Sequence, residues 1–138
     1  MAKKFLLEIY TPDKLLLKKE VESMVATSID GEFGVLYGHV PLLTSLTIGE
    51  MRFREGKQVE YAAVAGGFAE VTGKKVTILA EAAELARHID VDRAERALER
   101  AEQRIKKMHD EHVDYMRAEI SLKKAMLRLK VVERTKAL

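Results

Sequence analysis

Basic side chains recur at regular helical intervals in the last third of this sequence. In a helix, residues three, four or seven positions apart lie on nearly the same face. Guanidinium groups on one face suit a phosphate or another polyanion, because each can donate two parallel hydrogen bonds to it. The residues with this spacing are Arg93, Arg96, Arg100 and Arg104 in one segment and Arg117, Lys124 and Arg128 in the next.

Two interpretations of these basic residues stay open on the pattern alone. In the first, they belong to solvated helix faces whose charge is offset by neighbouring Asp and Glu residues. In the second, the two segments fold together so that cations from both converge. That arrangement calls for an anion, because like charges four residues apart already cost about a few tenths of a kcal/mol. The converging residues would be Arg93, Arg100, Lys124 and Arg128.

The sequence contains no recognisable catalytic centre. The glycines at 67 and 73 enclose five residues rather than four, and Lys74 is followed by another Lys, which excludes a Walker-type phosphate loop. The absence of Cys rules out thiol chemistry and a disulfide framework. We interpret His109 and His112 as surface residues, because no third metal ligand lies near them in the sequence. We therefore expect a non-catalytic protein with no catalytic cofactor.

The composition predicts a soluble protein with an uneven distribution of charge. The 138 residues are 47% hydrophobic and 33% charged, with a formal net charge of +2. Residues 1–84 carry 10 basic and 12 acidic side chains (−2), whereas residues 85–138 carry 14 and 10 (+4). No apolar run approaches the ~18 residues of a membrane-spanning helix, and the first apolar run is too short for a signal peptide. We expect a cytosolic protein whose basic end meets an acidic surface or a small anion.

The chain changes character near residue 85. All 8 Gly and both Pro lie at or before Gly73, and this part alternates short apolar runs with closely spaced turns. Such spacing favours an antiparallel β sandwich or barrel over residues 1–84. The segment 81–88 has helical propensity, and Asp90 then supplies a good N-cap for a helix.

Residues 85–138 are predicted to form an antiparallel two-helix hairpin. Apolar residues recur there at alternating intervals of three and four, which is the narrow stripe of a paired helix, and a polar stretch separates the two stripes. Alanines in both stripes bury little apolar area at about 25 cal/mol per Å², so we expect the hairpin to depend on the β domain, a ligand or a partner. The stripes are Ala94, Leu98, Ala101, Ile105 and Met108, and Tyr115, Ala118, Leu122, Ala125, Leu129 and Val132.

Several stretches, spread over nearly the whole chain, have the form of the motifs of one family and follow each other in that family's order. They read YTPD at 10–13, GEFGVLYGHVPLL at 31–43, GGFAEV at 66–71, VTILAEAAE at 76–84 and IDVDRA at 89–94. Together they resemble the epsilon subunit of the bacterial proton-translocating ATP synthase. The resemblance implies an α+β fold: an N-terminal antiparallel β sandwich of about ten strands, followed by a C-terminal antiparallel two-helix hairpin.

The resemblance implies a non-catalytic role in the rotating central stalk. Such a subunit couples proton flow to ATP synthesis, and its sandwich contacts the gamma subunit and the c-ring. Its further partners are the alpha and beta subunits, and no nucleic acid is involved. It is peripheral to the cell membrane, on the cytoplasmic side, through the complex. The implied contact residues of the sandwich are Glu32 and His39.

The resemblance also implies that the hairpin is regulatory. It lies folded on the sandwich, or it extends into the catalytic head and inhibits ATP hydrolysis, presenting Arg117, Lys123 and Arg134 to acidic segments of the beta subunits. In some members ATP binds the folded hairpin as a regulatory ligand. By position, its adenine and ribose would contact Glu84, Ile89, Asp90 and Ala94, and its phosphates Arg93, Arg100, Lys124 and Arg128.

One residue departs from the pattern of ATP-binding members. Lys124 stands where those members carry Arg, and it keeps the charge but lacks the planar fork of a guanidinium.

Two functions of other kinds stay open: a stand-alone nucleotide-sensing module, and a basic hairpin that binds nucleic acid. The acidic residues of the first helix argue against the second of these.

Overall fold

The computed structural model describes residues 3–107 and 112–137, for residues 112–114 the backbone only. No helix within these ranges is long and apolar enough to cross a membrane. The elements in chain order are β1 (Phe5–Tyr10), β2 (Leu15–Val21), β3 (Ser23–Ser28), β4 (Gly31–Leu36), β5 (Leu42–Glu55), β6 (Gln58–Val71), β7 (Lys75–Leu85), a 3-10 helix (Ala86–His88), α1 (Val91–Lys107) and α2 (His112–Lys136).

The seven strands form one hydrogen-bonded sheet in the order β2-β1-β7-β6-β5-β3-β4. Adjacent strands are antiparallel except for β1 and β7, which are parallel. There Leu7 lies beside Val76 and Ile9 beside Ile78. Parallel neighbours need a long connection, and strands β2 to β6 supply it. The expectation of a purely antiparallel sandwich is wrong for this pair, because turn spacing reports hairpins between consecutive strands and not pairing between distant ones.

The sheet folds over on itself into a two-layered sandwich. β2 contacts β5 although three strands separate them in the sheet order, and Lys19 of β2 forms an ion pair with Glu60 of β6 at 3.1 Å. Alternate residues of β1, namely Phe5, Leu7 and Ile9, are buried between the layers, as the period of a strand dictates. All seven strands contribute to this single apolar core, so the predicted sandwich is confirmed.

The described residues form seven strands rather than the expected ten or so. β5 and β6 are 14 residues each and run through positions that read as breaks in the sequence. Gly66 and Gly67 adopt φ angles of 79° and 116°, yet Leu46 pairs with Gly67 and Ile48 pairs with Ala65, so the register is kept across them. Apolar runs that look separate are one strand, since glycine accepts a positive φ without leaving the sheet.

Helices α1 and α2 pack against each other as the predicted hairpin, and alanines line their contact. Ala94 and Ala101 of α1 are buried, as are Ala118 and Ala125 of α2. The predicted apolar stripes are confirmed at these positions. Met108, predicted to end the first stripe, lies outside the described residues.

α2 also lies against the sandwich, so the hairpin is folded down on it. The helix packs on β5, β6 and the 3-10 helix. Leu127, Val131 and Val132 of α2 join Tyr61 and Ala63 of β6 in a second apolar cluster. The outer face of β6 is therefore covered by α2, while its inner face belongs to the sandwich core.

Two local expectations about the helical part are wrong. The segment 81–88 continues β7 as far as Leu85, which pairs with Ala62, and only Ala86–His88 is helical. Pairing with β6 overrides the local helical propensity there. Tyr115 is exposed rather than part of the apolar stripe. It lies in the first turn of α2, and the buried part of the stripe begins one turn later, at Ala118.

Gly67→Ala is expected to destabilise the sandwich. A Cβ at this position would lie 2.1 Å from the carbonyl oxygen of Leu79 and 2.8 Å from Cα of Ala80, at a φ that L residues rarely adopt. We expect the free energy of unfolding, measured by urea denaturation, to fall by about 2 kcal/mol or more. Gly73→Ala is the matched control, because nothing lies within 4 Å of its Cβ. Equal losses in both variants would contradict the steric argument.

Candidate functional site

The side chain of Asp90 fixes the start of α1. Its Oδ1 accepts a hydrogen bond from the backbone N–H of Arg93 at 3.1 Å, and its backbone carbonyl accepts one from Ala94 at 3.0 Å. This is the predicted N-cap, which satisfies donors that the first turn of a helix leaves free. Ile89 and Ala94, on either side of it, are buried. The cap therefore fixes the backbone from which Arg93 projects.

A cavity of about 350 Å³ lies where β7, the 3-10 helix, α1 and α2 meet. Its volume falls within the range of roughly 300–1,000 Å³ that small-molecule sites occupy. It brings together all but one of the residues that the family resemblance named for ATP: Glu84, Ile89, Asp90, Arg93, Ala94, Arg100 and Arg128.

Lys124, the remaining residue of that set, lines a smaller neighbouring cavity. This second cavity, about 100 Å³ in volume, shares Glu84 and Arg128 with the first and is otherwise walled by residues of β6, β7 and α2. Lys124 stands one helical turn before Arg128 on α2. It is therefore placed beside the main cavity and not in its lining.

Positive charge outweighs negative charge in the larger cavity. Three guanidinium groups and the carboxylates of Glu84 and Asp90 line it. Arg128 forms an ion pair with Glu84, with Nε 2.9 Å from Oε1, which links α2 to β7. Arg93 and Arg100 form no ion pair within residues 3–107 and 112–137. Guanidinium groups that form no ion pair in the described part of the chain and that line a concave site are suited to hold an anion such as a phosphate.

Two residues of the cavity lining were not predicted. Ala97 lies midway between Ala94 and Arg100, so the helical period that places Arg93 and Arg100 on one face includes it. That signal was present in the sequence. His88 ends the 3-10 helix, and no pattern in the sequence places it beside the cavity.

The two predicted sandwich contacts lie on β4 and in the loop that follows it. Glu32 is exposed on β4, and its carboxylate lies 3.2 Å from Nη1 of Arg52. His39 lies in the loop, where its backbone N–H donates to the carbonyl of Leu36 at 3.1 Å. Several large apolar side chains near these two residues are exposed, namely Leu36, Tyr37, Val40 and Leu43. A group of exposed apolar side chains is typical of a contact surface.

The three predicted contacts on the hairpin differ in their surroundings. Arg117 is exposed on α2. Lys123 is also exposed and lies 3.9 Å from Glu119, one turn earlier. Arg134, in the last turn of α2, lies over the ring of Tyr61. Of the three, Arg134 is the residue placed against the sandwich by a recorded contact in the described part of the chain.

Comparison with known proteins identifies the family. The family description "ATP synthase, Delta/Epsilon chain, beta-sandwich domain" matches residues 4–86, and "ATP synthase, Delta/Epsilon chain, long alpha-helix domain" matches residues 87–133. The chain belongs to the delta/epsilon family of ATP synthase chains. The resemblance inferred from the motifs is thereby confirmed.

Two similar proteins are each named ATP synthase epsilon chain. An ATP synthase epsilon chain of Syntrophobacter fumaroxidans is 48% identical over 135 residues, which cover 98% of this chain and 100% of that one. An ATP synthase epsilon chain of Nitratidesulfovibrio vulgaris is 47% identical over 110 residues, 80% of this chain and 82% of its own length. These matches place the chain among the ATP synthase epsilon chains.

A solved structure supports the same assignment. The chain is similar to one in the cryo-EM structure of the Euglena gracilis mitochondrial ATP synthase, described as OSCP/F1/c-ring in rotational state 1. The two share 25% sequence identity with a TM-score of 0.78, over 92% of this chain and 79% of that chain.

Replacing Asp90 with Ala is expected to loosen the start of α1. The variant loses the hydrogen bond to the N–H of Arg93, and we expect the hairpin to lose about 1 kcal/mol of stability, measured by urea denaturation followed through the helical circular-dichroism signal. Asp90→Asn is the matched control, because it retains an acceptor oxygen and should lose far less. Equal destabilisation by both changes would contradict a capping role.

Proposed function

We propose that the chain is a non-catalytic central-stalk subunit of a proton-translocating ATP synthase and that its hairpin senses ATP. One observation carries the sensing role: Arg93 and Arg100 of α1 line the same cavity as Arg128 of α2. Glu84 of the sandwich forms another part of that lining. A ligand in the cavity would contact the sandwich and both helices at once, so its binding would favour the folded hairpin.

The lining of the cavity matches the chemistry of ATP. Guanidinium groups bind phosphates through charge-assisted hydrogen bonds, and Arg93, Arg100 and Arg128 are placed to do so, with Lys124 adding a cation from the neighbouring cavity. Carboxylate acceptors suit ribose hydroxyl groups, and small apolar side chains suit a purine ring. Glu84, Ile89, Asp90 and Ala94 would hold that end of the ligand.

ATP would shift the position of the hairpin by the difference between its affinities for the folded and released arrangements. The released hairpin would leave Glu84 behind on the sandwich and thus keep only part of the site. Bound ligand adds about 2.7 kcal/mol to the state it prefers when its concentration is 100 times its dissociation constant. Abundant ATP would therefore keep the hairpin folded, and scarce ATP would release it. ATP acts here as a regulatory ligand, not as a catalytic cofactor.

The released hairpin would inhibit ATP hydrolysis. In that state Arg117, Lys123 and Arg134 would meet acidic segments of the beta subunits, and complementary charge would favour the contact. The alanine-lined contact between α1 and α2 supports two arrangements of similar energy, because it buries little apolar area.

The sandwich, residues 1–84, would hold the chain in the rotor, with residues 85–138 as the regulatory unit. The exposed apolar groups around His39 and the carboxylate of Glu32 suit contacts with the gamma subunit and the c-ring. Phe68 and Leu79 form a further exposed apolar pair on neighbouring strands. The Euglena structure is described as containing F1 and the c-ring, which supports this placement. The chain would then be peripheral to the cell membrane, on its cytoplasmic side.

Arg93→Ala is expected to weaken ATP binding about tenfold or more, because a phosphate donor in the cavity lining is lost. Calorimetric titration of the purified chain measures the affinity. Arg96→Ala is the matched control: it removes an arginine three residues further along α1 that is not part of this cavity lining. Unchanged binding in Arg93→Ala, or an equal loss in the control, would remove the proposed site.

Ending the chain after His88 is expected to raise ATP hydrolysis by the assembled complex at low ATP. The change deletes both helices but keeps every strand of the sandwich. Copurification with the gamma subunit serves as the control for incorporation. Unchanged hydrolysis in a complex that retains the shortened chain would show that the hairpin does not inhibit. Failure of the full chain to copurify with gamma would instead favour a stand-alone nucleotide-sensing module.

A further inference from the structure

The last turn of α2 is anchored to the sandwich at a distance from the cavity. Nε of Arg134 lies 3.5 Å from Oε1 of Glu50 on β5, and its guanidinium carbon lies 5.2 Å from the ring centroid of Tyr61 on β6. Arg134 follows Arg128 by six residues, which is about 9 Å along a helix. The contact of Arg134 with Glu50 is therefore separate from that of Arg128 with Glu84.

Glu50 lies on the face of β5 that α2 covers. Ile48, two residues earlier and so on the same face, packs in the apolar cluster beneath α2. The side chain of Glu50 is only 6% exposed, and its Oε1 accepts no hydrogen bond in the described part of the chain. Burial of a carboxylate without full hydrogen bonding is unfavourable unless a cation approaches it. With α2 docked, Glu50 is buried, and Arg134 of α2 is a cation that offsets this burial.

A second arginine only partly compensates Glu50. Nη1 of Arg52 lies 3.5 Å from Oε2 of Glu50, but it also lies 3.2 Å from Oε2 of Glu32. Arg52 is therefore divided between two carboxylates. Loss of Arg134 would leave Glu50 with this shared partner, and the cost would fall on the docked arrangement alone.

Tyr61 also stabilises Arg134 in its docked position. Its hydroxyl group, and next the charge of Glu50, raise the pKa of Arg134 above its ordinary value, so the docked surroundings favour the cation. A guanidinium beside an aromatic ring is also attracted to the face of that ring. Because Tyr61 belongs to the apolar cluster that contains Leu127, Val131 and Val132, polar and apolar contacts hold the same end of α2.

We propose that Glu50, Tyr61 and Arg134 form a latch that keeps the hairpin docked without nucleotide and thereby sets how much ATP is needed to hold it folded. The second half of this statement rests on the proposed function, whereas the latch itself requires no ligand. The latch and the nucleotide cavity both stabilise the docked hairpin relative to the undocked one. With a weaker latch, a higher ATP concentration is needed to keep the same fraction of chains docked.

Arg134→Gln tests the latch in the absence of nucleotide. The chain has no Cys, so Lys57→Cys in the β5–β6 turn and Ser121→Cys on α2 allow two spin labels to be attached at exposed positions. Electron–electron double resonance then measures the fraction of chains with long label separations. We expect this undocked fraction to rise about fivefold in Arg134→Gln. Lys136→Gln, which removes an exposed cation from the same turn, is the matched control and should change nothing. An equal result for the two variants would overturn the proposal.

A double-mutant cycle tests whether Glu50 and Arg134 act together. Glu50→Gln has nearly the same shape and should also raise the undocked fraction. After both changes the rise should be smaller than the product of the two single rises, because each change removes the same interaction. A rise equal to that product would overturn the pairing. Near-ultraviolet circular dichroism of the sandwich tyrosines confirms that each variant is folded.

Titration of Arg134→Gln with ATP separates the latch from the nucleotide site. The apparent affinity should fall in proportion to the docked fraction measured by the labels. A raised undocked fraction with unchanged ATP affinity would leave the latch in place and contradict the proposal that ATP selects the docked hairpin. An unchanged undocked fraction would contradict the latch, whatever the affinity for ATP.

Discussion

The alanine-lined contact between α1 and α2 is the constraint on which the rest of the hairpin depends. It brings the two helices close together, but small side chains remove little apolar area from water. The larger apolar groups of α2, including Leu127 and Val131, are turned onto β6 instead. α2 is thus held by the sandwich as well as by α1. The position of the hairpin is decided at the contact between α2 and the sheet.

That contact also assembles the candidate site. With α2 on β6, Arg128 reaches Glu84 at the end of β7, and the Asp90 cap starts α1 beside the same strand end. No single element contains the cavity, since β7, the 3-10 helix and both helices each contribute to its wall. Ligand binding at a site divided in this way would shift the hairpin toward the folded arrangement. A ligand that bridges the elements stabilises only the arrangement that brings them together.

Local signals in the sequence were sufficient for some of these features and not for others. The Asp90 cap and the stripe through Ala94 and Ala101 depend on residues near each other in sequence, so spacing predicted them. The parallel pairing of β1 with β7 depends on contacts between the two ends of the sandwich, which spacing does not report. Gly66 and Gly67 read as a break because glycine commonly ends a strand, yet neighbouring strands on both sides hold them in the sheet. The family resemblance named Lys124 with the other phosphate-binding residues, and the structure places it in the neighbouring cavity. The rotation of α2 on the sandwich, which sets this place, is a tertiary property.

The row of charges from Glu32 through Arg52 and Glu50 to Arg134 crosses from the β4 edge of the sheet to the tip of α2. Its members share partners, so a change at one end redistributes charge at the other. Glu32 is the natural residue to alter when probing how the sandwich meets its neighbours in a rotary complex. Freed from Glu32, however, Arg52 would neutralise Glu50 more fully and weaken its attraction for Arg134. A Glu32 variant with altered activity would therefore carry two overlapping phenotypes, one of assembly and one of hairpin position, and kinetic data alone would not separate them.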